Sequence, residues 1–420
     1  MAVLQVTPFV PGSARGILRR GYEAVSSDSI LILTQQELGI FDGRPAGILV
    51  MDGAPFSHAM IRLLTLGIPT VLISSETASD LEAGQEVVID GFRGTITKLP
   101  ESDLTITPAP EPPSAGEAIV LNDGSRFLLR ASIFKIDDAD LAVKQGAAAI
   151  GLVRTEYLVP GEGRLPDAAF YESTLRKLCD CSRPLAVTLR LPDIAPDKQV
   201  PWLEPLAGMN GPLGLQGVRL YDEEPVRSVL LALLDAINEV AEDYELKLLL
   251  PYVTSLAEFS YWRSRIEQQL IKALPIGTMA ESPAAVLALA HWFEVADFVA
   301  IGCNDLMQCL FAADRDLAEV RRQLDPSSPE LFRFLKQVAD AAGDNMNKVQ
   351  LCGLLPQLPG VLPVLLGMGF RIFSVAPVMI PYLAKIASET NLSQAKALAQ
   401  QVCVAKTSEQ VRGLLQCPCN

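Results

Sequence analysis

The stretch AAIGLVRTEYL, Ala148–Leu158, runs from an apolar segment straight into an arginine, a threonine and a glutamate. A short apolar run bounded by turn signals reads as a strand buried on both faces, and the polar residues then fall at its carboxyl end. The pattern recurs along the chain. RFLLRASI (126–133), LAVTLRL (185–191), LQGVRL (215–220), KLLLPYV (247–253), ALPIGTM (273–279), FVAIG (298–302) and VQLCGL (349–354) are further strand candidates, most of them followed by a helix-length segment. EPVRSVLLALLDAINEVAEDY (224–244) and SPELFRFLKQVADAAGDN (328–345) carry apolar residues at three- and four-residue spacing and predict amphipathic helices. SQAKALAQQVCVAKTSEQVRGLLQ (393–416) predicts further surface helix. Eight strands alternating with helices over this length predict a (β/α)8 barrel of the TIM type across residues 119–420.

Upstream, the texture differs. SILILT, AGILVM, IPTVLI, QEVVID and GFRGTITKL alternate with turns between residues 29 and 99, predicting a small strand-rich α/β domain over residues 1–100 that ends in a hairpin through Gly91–Gly94. ESDLTITPAPEPPSAGE, rich in proline and serine, predicts a linker at 101–118.

Composition narrows the function. The chain has 420 residues, 49% hydrophobic and 20% charged, with ample material for buried cores. Its formal net charge of −14 argues against a nucleic-acid surface. No apolar run approaches the ~18 residues of a membrane span, and the N-terminal segment lacks the pattern of a signal peptide. The eight cysteines, including the pairs Cys179/Cys181 and Cys417/Cys419, show no metal-ligand spacing and read as reduced thiols of a cytoplasmic protein.

Chemistry in such a barrel is done where the strands end. There the sequence puts Arg154 and Glu156, then Arg190, Asp193 and Lys198, then Glu281, then Asn304 and Asp305 with Arg315 beyond, and Cys352. Singly, an arginine–glutamate pair is equally a rim salt bridge, and a lone cysteine in an apolar strand is equally core. Jointly, arginines that clamp anions, two carboxylates able to hold magnesium and a thiol able to move a proton suit a small phosphorylated acid. The chain has only two histidines. His58 follows Ser57, a good N-cap, and opens a short helix ending at Gly67, a place where free N–H groups favour an anion. His291 lies in the helical LALAHWFE with no motif around it and reads as structural.

The motifs resemble those of the phosphoenolpyruvate-utilising enzymes, above all enzyme I of the bacterial sugar phosphotransferase system. GAPFSHAMIRLLTLGIP is similar to the phosphohistidine segment of that family's swivelling domain, Gly-Gly-x-Thr-Ser-His; PGSARGILRRG and AGQEVVIDGFRGTI resemble the same domain's start and end. GLVRTEYL, RLPDIAPDK, AESPAA and IGCNDLMQ resemble the family's barrel motifs, and LLGMGFRIFSVAP its closing segment. The resemblance implies that Arg154, Arg190 and Arg315 bind the phosphate and carboxylate of phosphoenolpyruvate, with Asn304 contacting the substrate. It implies that Glu281 and Asp305 hold Mg2+ or Mn2+, that Cys352 protonates the enolate as pyruvate forms, and that His58 accepts the phosphoryl group. It further implies a homodimer through the barrel. Residues 1–100 are read as the swivelling domain alone, without the helical carrier-docking domain of enzyme I. The phosphoryl group of His58 would then pass to a separate phosphocarrier protein or to another acceptor that the sequence does not identify.

The departures are specific. Gln216 in NGPLGLQGVR stands where the family has a phosphate-binding arginine, Leu354 stands in place of the glutamate after the catalytic cysteine, and Phe56 and Ala54 replace a threonine and a glycine in the histidine loop. They leave two readings: a phosphoenolpyruvate-dependent phosphotransferase, or a catalytically degenerate phosphoenolpyruvate-binding regulatory or scaffold protein.

Overall fold

The computed structural model describes residues 3–22, 25–41, 43–98, 108–195, 200–204, 206, 209, 211 and 213–416. The first part of the expected linker, residues 101–107, along with Lys198 and the Cys417/Cys419 pair, lies outside the described residues. The chain divides into two units, the first made of Met1–Glu111 with Arg315–Arg322 and Pro381–Lys385, the second of the remainder.

The first unit is built on one eight-stranded sheet. Its centre is parallel: Ser13–Arg20, Ser29–Thr34, Gly47–Met51 and Thr70–Ile73 lie side by side in that order. Ile30, Leu31, Leu33, Ile48, Leu49 and Val50 have no exposure, as continuous apolar runs require when both faces of a sheet are covered. Glu86–Asp90 and Thr95–Lys98 add an antiparallel hairpin, as read from the sequence. Val3–Gln5 and Thr7–Val10 close the two edges. These two strands and Ser13–Arg20 have weak patterns, short or interrupted by glycine and proline, and the sequence reading did not include them.

The hairpin turn depends on a glycine. Asp90 Oδ1 accepts hydrogen bonds from the amides of Phe92 at 3.0 Å and Arg93 at 2.8 Å, and the chain turns back through Gly94 at φ +65°. A Cβ there would sit 2.2 Å from the carbonyl oxygen of Val6.

In the second unit eight parallel strands close into a barrel: β1 Arg126–Ile133, β2 Ile150–Arg154, β3 Val187–Arg190, β4 Leu246–Leu250, β5 Ile276–Ala280, β6 Val299–Gly302, β7 Val349–Cys352 and β8 Ile372–Val375. Each pairs with the next, and β8 returns to β1. This is the expected barrel with one strand exchanged. LQGVRL forms no strand; Gly217–Leu220 is a 3-10 turn, because Gly217 takes φ +53°, a left-handed conformation that ends extended chain. The closing strand is instead Ile372–Val375, four fully or almost fully buried residues whose shortness hid them in the sequence.

The expected helices form at Val226–Val240 and Pro329–Ala342, and the C-terminal segment forms two, Leu392–Val404 and Ser408–Gln416. Val226, Val229, Leu230, Leu233, Leu234, Ile237 and Val240 are the buried stripe of the first of these. No helix among the described residues is long and apolar enough to cross a membrane.

Gly94→Ala should destabilise the first unit by about 2–4 kcal/mol, combining left-handed strain with the clash against Val6. Gly84→Ala, at φ +88° with open space around it, should cost only the strain, about 1–2 kcal/mol. Urea unfolding of the two variants checks the difference, and equal costs would show that the contact with Val6 yields freely.

Candidate active site

At the carboxyl ends of β2 and β3, Arg154 and Arg190 are register partners on adjacent strands. Two like charges side by side need compensation. Arg190 is 2% exposed, and its guanidinium is held by Glu156, which follows β2, and by Asp193, 2.7 Å away beyond β3. Burial opposes its charge, but Asp193, Glu156 and Glu281 together hold its pKa above the ordinary arginine value. Thr155 adds a hydrogen bond from its hydroxyl to the Arg190 carbonyl at 2.6 Å, tying the two strand ends together. The alternative of an Arg154–Glu156 rim pair is therefore not what forms among the described residues, because Glu156 turns to the neighbouring strand. Arg154 stacks on the ring of Phe134 at 4.7 Å, and its Nε is buried with no hydrogen-bond partner among the described residues.

Glu281 follows β5 and is 2% exposed. One of its oxygens accepts the amide of Tyr252 at 3.0 Å, an amide turned toward it by the left-handed Tyr252, at φ +53°. The other lies where a side chain on Gly302 would be: a Cβ there would come within 2.6 Å of Glu281 Oε1. Gly302 ends β6 and leads into the helix Cys303–Phe311, whose first turn carries Asn304 and Asp305. Asn304 Oδ1 accepts the amide of Leu354 at 2.9 Å, close above Gly353, which sits at φ +99°. The Leu354 side chain is itself buried.

Cys352 ends β7 opposite Gly302 and is 1% exposed. Burial pushes its thiol up to about 11; a hydrogen bond from Gln350 and the charges of Arg154 and Arg190 pull the other way, while Glu281 adds to the rise. Arg154, Arg190 and Cys352 end β2, β3 and β7, Glu281 follows β5, and Asn304 and Asp305 follow β6, so these candidates lie at one end of the barrel. Among the described residues no group of three or more His, Cys, Asp or Glu side chains could hold a metal ion. Glu281 and Asp305, two hard oxygen donors at the ends of neighbouring strands, fit magnesium, which takes one or two protein carboxylates and fills its shell from substrate and water. Gln216 is buried, 6% exposed, just before the Gly217 turn.

In the first unit, His58 opens the helix His58–Leu66, which ends at Gly67 with φ +65°, as expected. The cap differs from expectation. Ser57 occupies the N-cap position, but its hydroxyl is buried and makes no capping bond. The amide of His58 goes instead to Asp316 Oδ1 at 3.2 Å, while Asp316 Oδ2 lies 3.0 Å from His58 Nδ1. On the other side of the ring, an Arg315 guanidinium nitrogen lies 3.0 Å from His58 Nε2. A carboxylate only accepts and a guanidinium only donates, so the ring is settled with its proton on Nδ1 and its lone pair on Nε2. Burial alone would raise the Asp316 carboxyl, but hydrogen bonds and charge from His58 hold it below the usual range. Asp316 was not among the sequence candidates; its only signal was its place beside Arg315. His291 is exposed and lies 3.3 Å from Glu294, remote from any such arrangement.

Comparison with known proteins gives a consistent result. Residues 114–392 match the family described as PEP-utilising enzyme, PEP-binding domain, and residues 29–94 match the PEP-utilising enzyme, mobile domain. The chain is 32% identical over 387 residues to a multiphosphoryl transfer protein of Xanthomonas campestris, covering 88% of this chain and 46% of that protein. It is 30% identical over 397 residues to a phosphoenolpyruvate-protein phosphotransferase of Haloferax volcanii, covering 89% and 68%, and 27% identical to that of Staphylococcus carnosus, covering 88% and 68%. The chain thus spans about half of the first relative and about two thirds of the others.

Arg190→Met leaves Glu156 and Asp193 buried without their cation and should destabilise the barrel by about 3–5 kcal/mol. Thermal unfolding of the variant measures this, and a loss under 1 kcal/mol would mean that the acids find other partners.

Proposed function

The chain belongs to the phosphoenolpyruvate-utilising enzymes, and from that premise we propose that it transfers the phosphoryl group of phosphoenolpyruvate to His58 with release of pyruvate. The observation that carries this reading is the His58 ring, whose proton is held on Nδ1 by Asp316 and whose Nε2 lone pair faces the cation of Arg315. Nε2 is then the nucleophile. It forms a bond to phosphorus as the bond from phosphorus to the enol oxygen breaks, and Asp316 stabilises the positive charge that develops on the ring.

The other candidate residues take complementary roles. Arg154 and Arg190, with Arg315, bind the phosphate and carboxylate, and Asn304 contacts the substrate. Glu281 and Asp305 would hold Mg2+ or Mn2+, which when bound neutralises phosphate charge. Cys352 gives its thiol proton to the carbon of the enolate, leaving a thiolate that water reprotonates. Phosphohistidine then passes its group to a partner, a separate phosphocarrier protein in this reading. A two-fold dimer through the barrel and a cytoplasmic location belong to the same proposal.

A second reading has its own observation. Gln216 stands buried at the position of the family's phosphate-binding arginine, and Phe56 is buried in the histidine loop, at 3% exposure. A chain with these changes could bind phosphoenolpyruvate in a regulatory or scaffold role without transferring its phosphate.

Incubation with phosphoenolpyruvate and Mg2+ should produce pyruvate and an acid-labile mass increase of one phosphoryl group, both lost on chelation of the metal. His58→Ala should abolish the label and His291→Ala should keep it; a label persisting in the His58 variant would sink the assignment. Asp316→Asn should slow labelling at least tenfold, because the amide no longer holds the ring's charge. Gln216→Arg should tighten phosphoenolpyruvate binding by about 1–2 kcal/mol, roughly five- to thirtyfold. Faster labelling in that variant supports the enzyme, whereas tighter binding without any labelling supports the regulatory reading.

A further inference from the structure

Two residues before Cys352 on β7, and so on the same face of the strand, lies Gln350, 2% exposed. Its Nε2 is 3.1 Å from Cys352 Sγ and 3.1 Å from the carbonyl oxygen of Gly151, while its Oε1 accepts from the Arg130 guanidinium at 3.0 Å. Gly151 makes room for this arrangement: a Cβ there would fall 2.7 Å from Arg130 Cβ and 2.9 Å from Gln350 Oε1. The amide cannot be turned over. Arginine only donates and a backbone carbonyl only accepts, so the oxygen must face Arg130 and the nitrogen must face Gly151 and the sulfur.

We infer that Gln350, oriented by Arg130, is the positioning residue of the Cys352 thiol, giving the sulfur a hydrogen bond while leaving the thiol's own proton for the substrate. The inference rests on the reading of Cys352 as the acid that protonates the enolate. An amide that offers only N–H to the sulfur cannot accept the S–H proton, and among the described residues that proton has no other acceptor. It therefore remains available for delivery. A neutral thiol accepts a hydrogen bond weakly and a thiolate strongly, so the bond from Gln350 strengthens as the proton leaves, which is where it accelerates the step. Arg130 polarises the amide in the same direction. Its own guanidinium has no carboxylate partner among the described residues; burial lowers its pKa, and a negative charge at Cys352 would offset that.

The test uses the reverse of enolate protonation, which needs no phosphoryl transfer. In D2O with Mg2+, the Cys352 thiolate removes a methyl proton from pyruvate to give enolate and thiol; the thiol exchanges with solvent and returns a deuteron, and proton NMR follows loss of the methyl signal. Gln350→Met keeps the length without the polar head. Gln350→Glu keeps the shape and the contact with Arg130 but turns an acceptor toward the sulfur, and it carries the test should the methionine variant fold poorly. Both should slow exchange at saturating pyruvate at least tenfold, and Arg130→Met about threefold, with the half-saturating pyruvate concentration unchanged within twofold. Exchange at the native rate in the Gln350 variants, when Cys352→Ala has lost it, would overturn the inference and leave the acid assignment intact. A slowed rate that is recovered at higher pyruvate would also overturn it, since Gln350 would then act on binding. No exchange by the native chain overturns the acid assignment, and this inference falls with it.

Discussion

A fully buried guanidinium with two carboxylates around it organises the mouth of the barrel. Arg190 cannot be taken out of water without counter-charge, and Glu156 and Asp193 supply it from the segments that leave β2 and β3. The positions of both segments follow from that requirement. So does the tolerance of Arg154 beside Arg190, since the two acids offset the positive charge that adjacent arginines would otherwise concentrate. Burying these ions costs desolvation, and the two acids that offset it tie the segments leaving β2 and β3 to Arg190.

Missing side chains set the remaining positions. Glu281 occupies the space that any other residue at 302 would fill, and Asn304 lies against the backbone at Gly353. These glycines act less as flexible joints than as vacated volume into which the neighbouring strand's functional group extends. At 353 the backbone must also take φ +99°, so the residue is doubly constrained there. The residue type at 354 does not decide that contact, because Asn304 is met by the Leu354 amide and not by its side chain.

Hydrogen placement follows one rule in both units. An imidazole and a carboxamide can each be assigned in two ways, and each here lies between groups with only one possible role. Asp316 and Arg315 settle His58; Gly151 and Arg130 settle Gln350. The result is an imidazole whose Nε2 lone pair faces a cation and a carboxamide whose N–H groups face the Cys352 sulfur and the Gly151 carbonyl.

The sequence by itself determined the two-part architecture and which polar residues end the barrel strands. Parallel strands buried on both faces must be nearly uniform in apolar character, and reactive groups must follow them, so Arg154, Arg190, Glu281, Asn304 and Cys352 were all legible as strand-end residues before any coordinates. The helix carrying His58 was legible from its terminal glycine. Tertiary structure decided the pairing. Glu156 chooses Arg190 over its near neighbour Arg154, Asp316 displaces Ser57 as the cap of the His58 helix, and the true closing strand is Ile372–Val375 while Leu215–Leu220 turns at Gly217. Each of these outcomes depends on a partner tens to hundreds of residues away or on a local backbone angle, and periodicity carries neither. Local patterns record which residues are buried and where an element ends; which buried charge meets which is settled by the distance between strands once the barrel has closed.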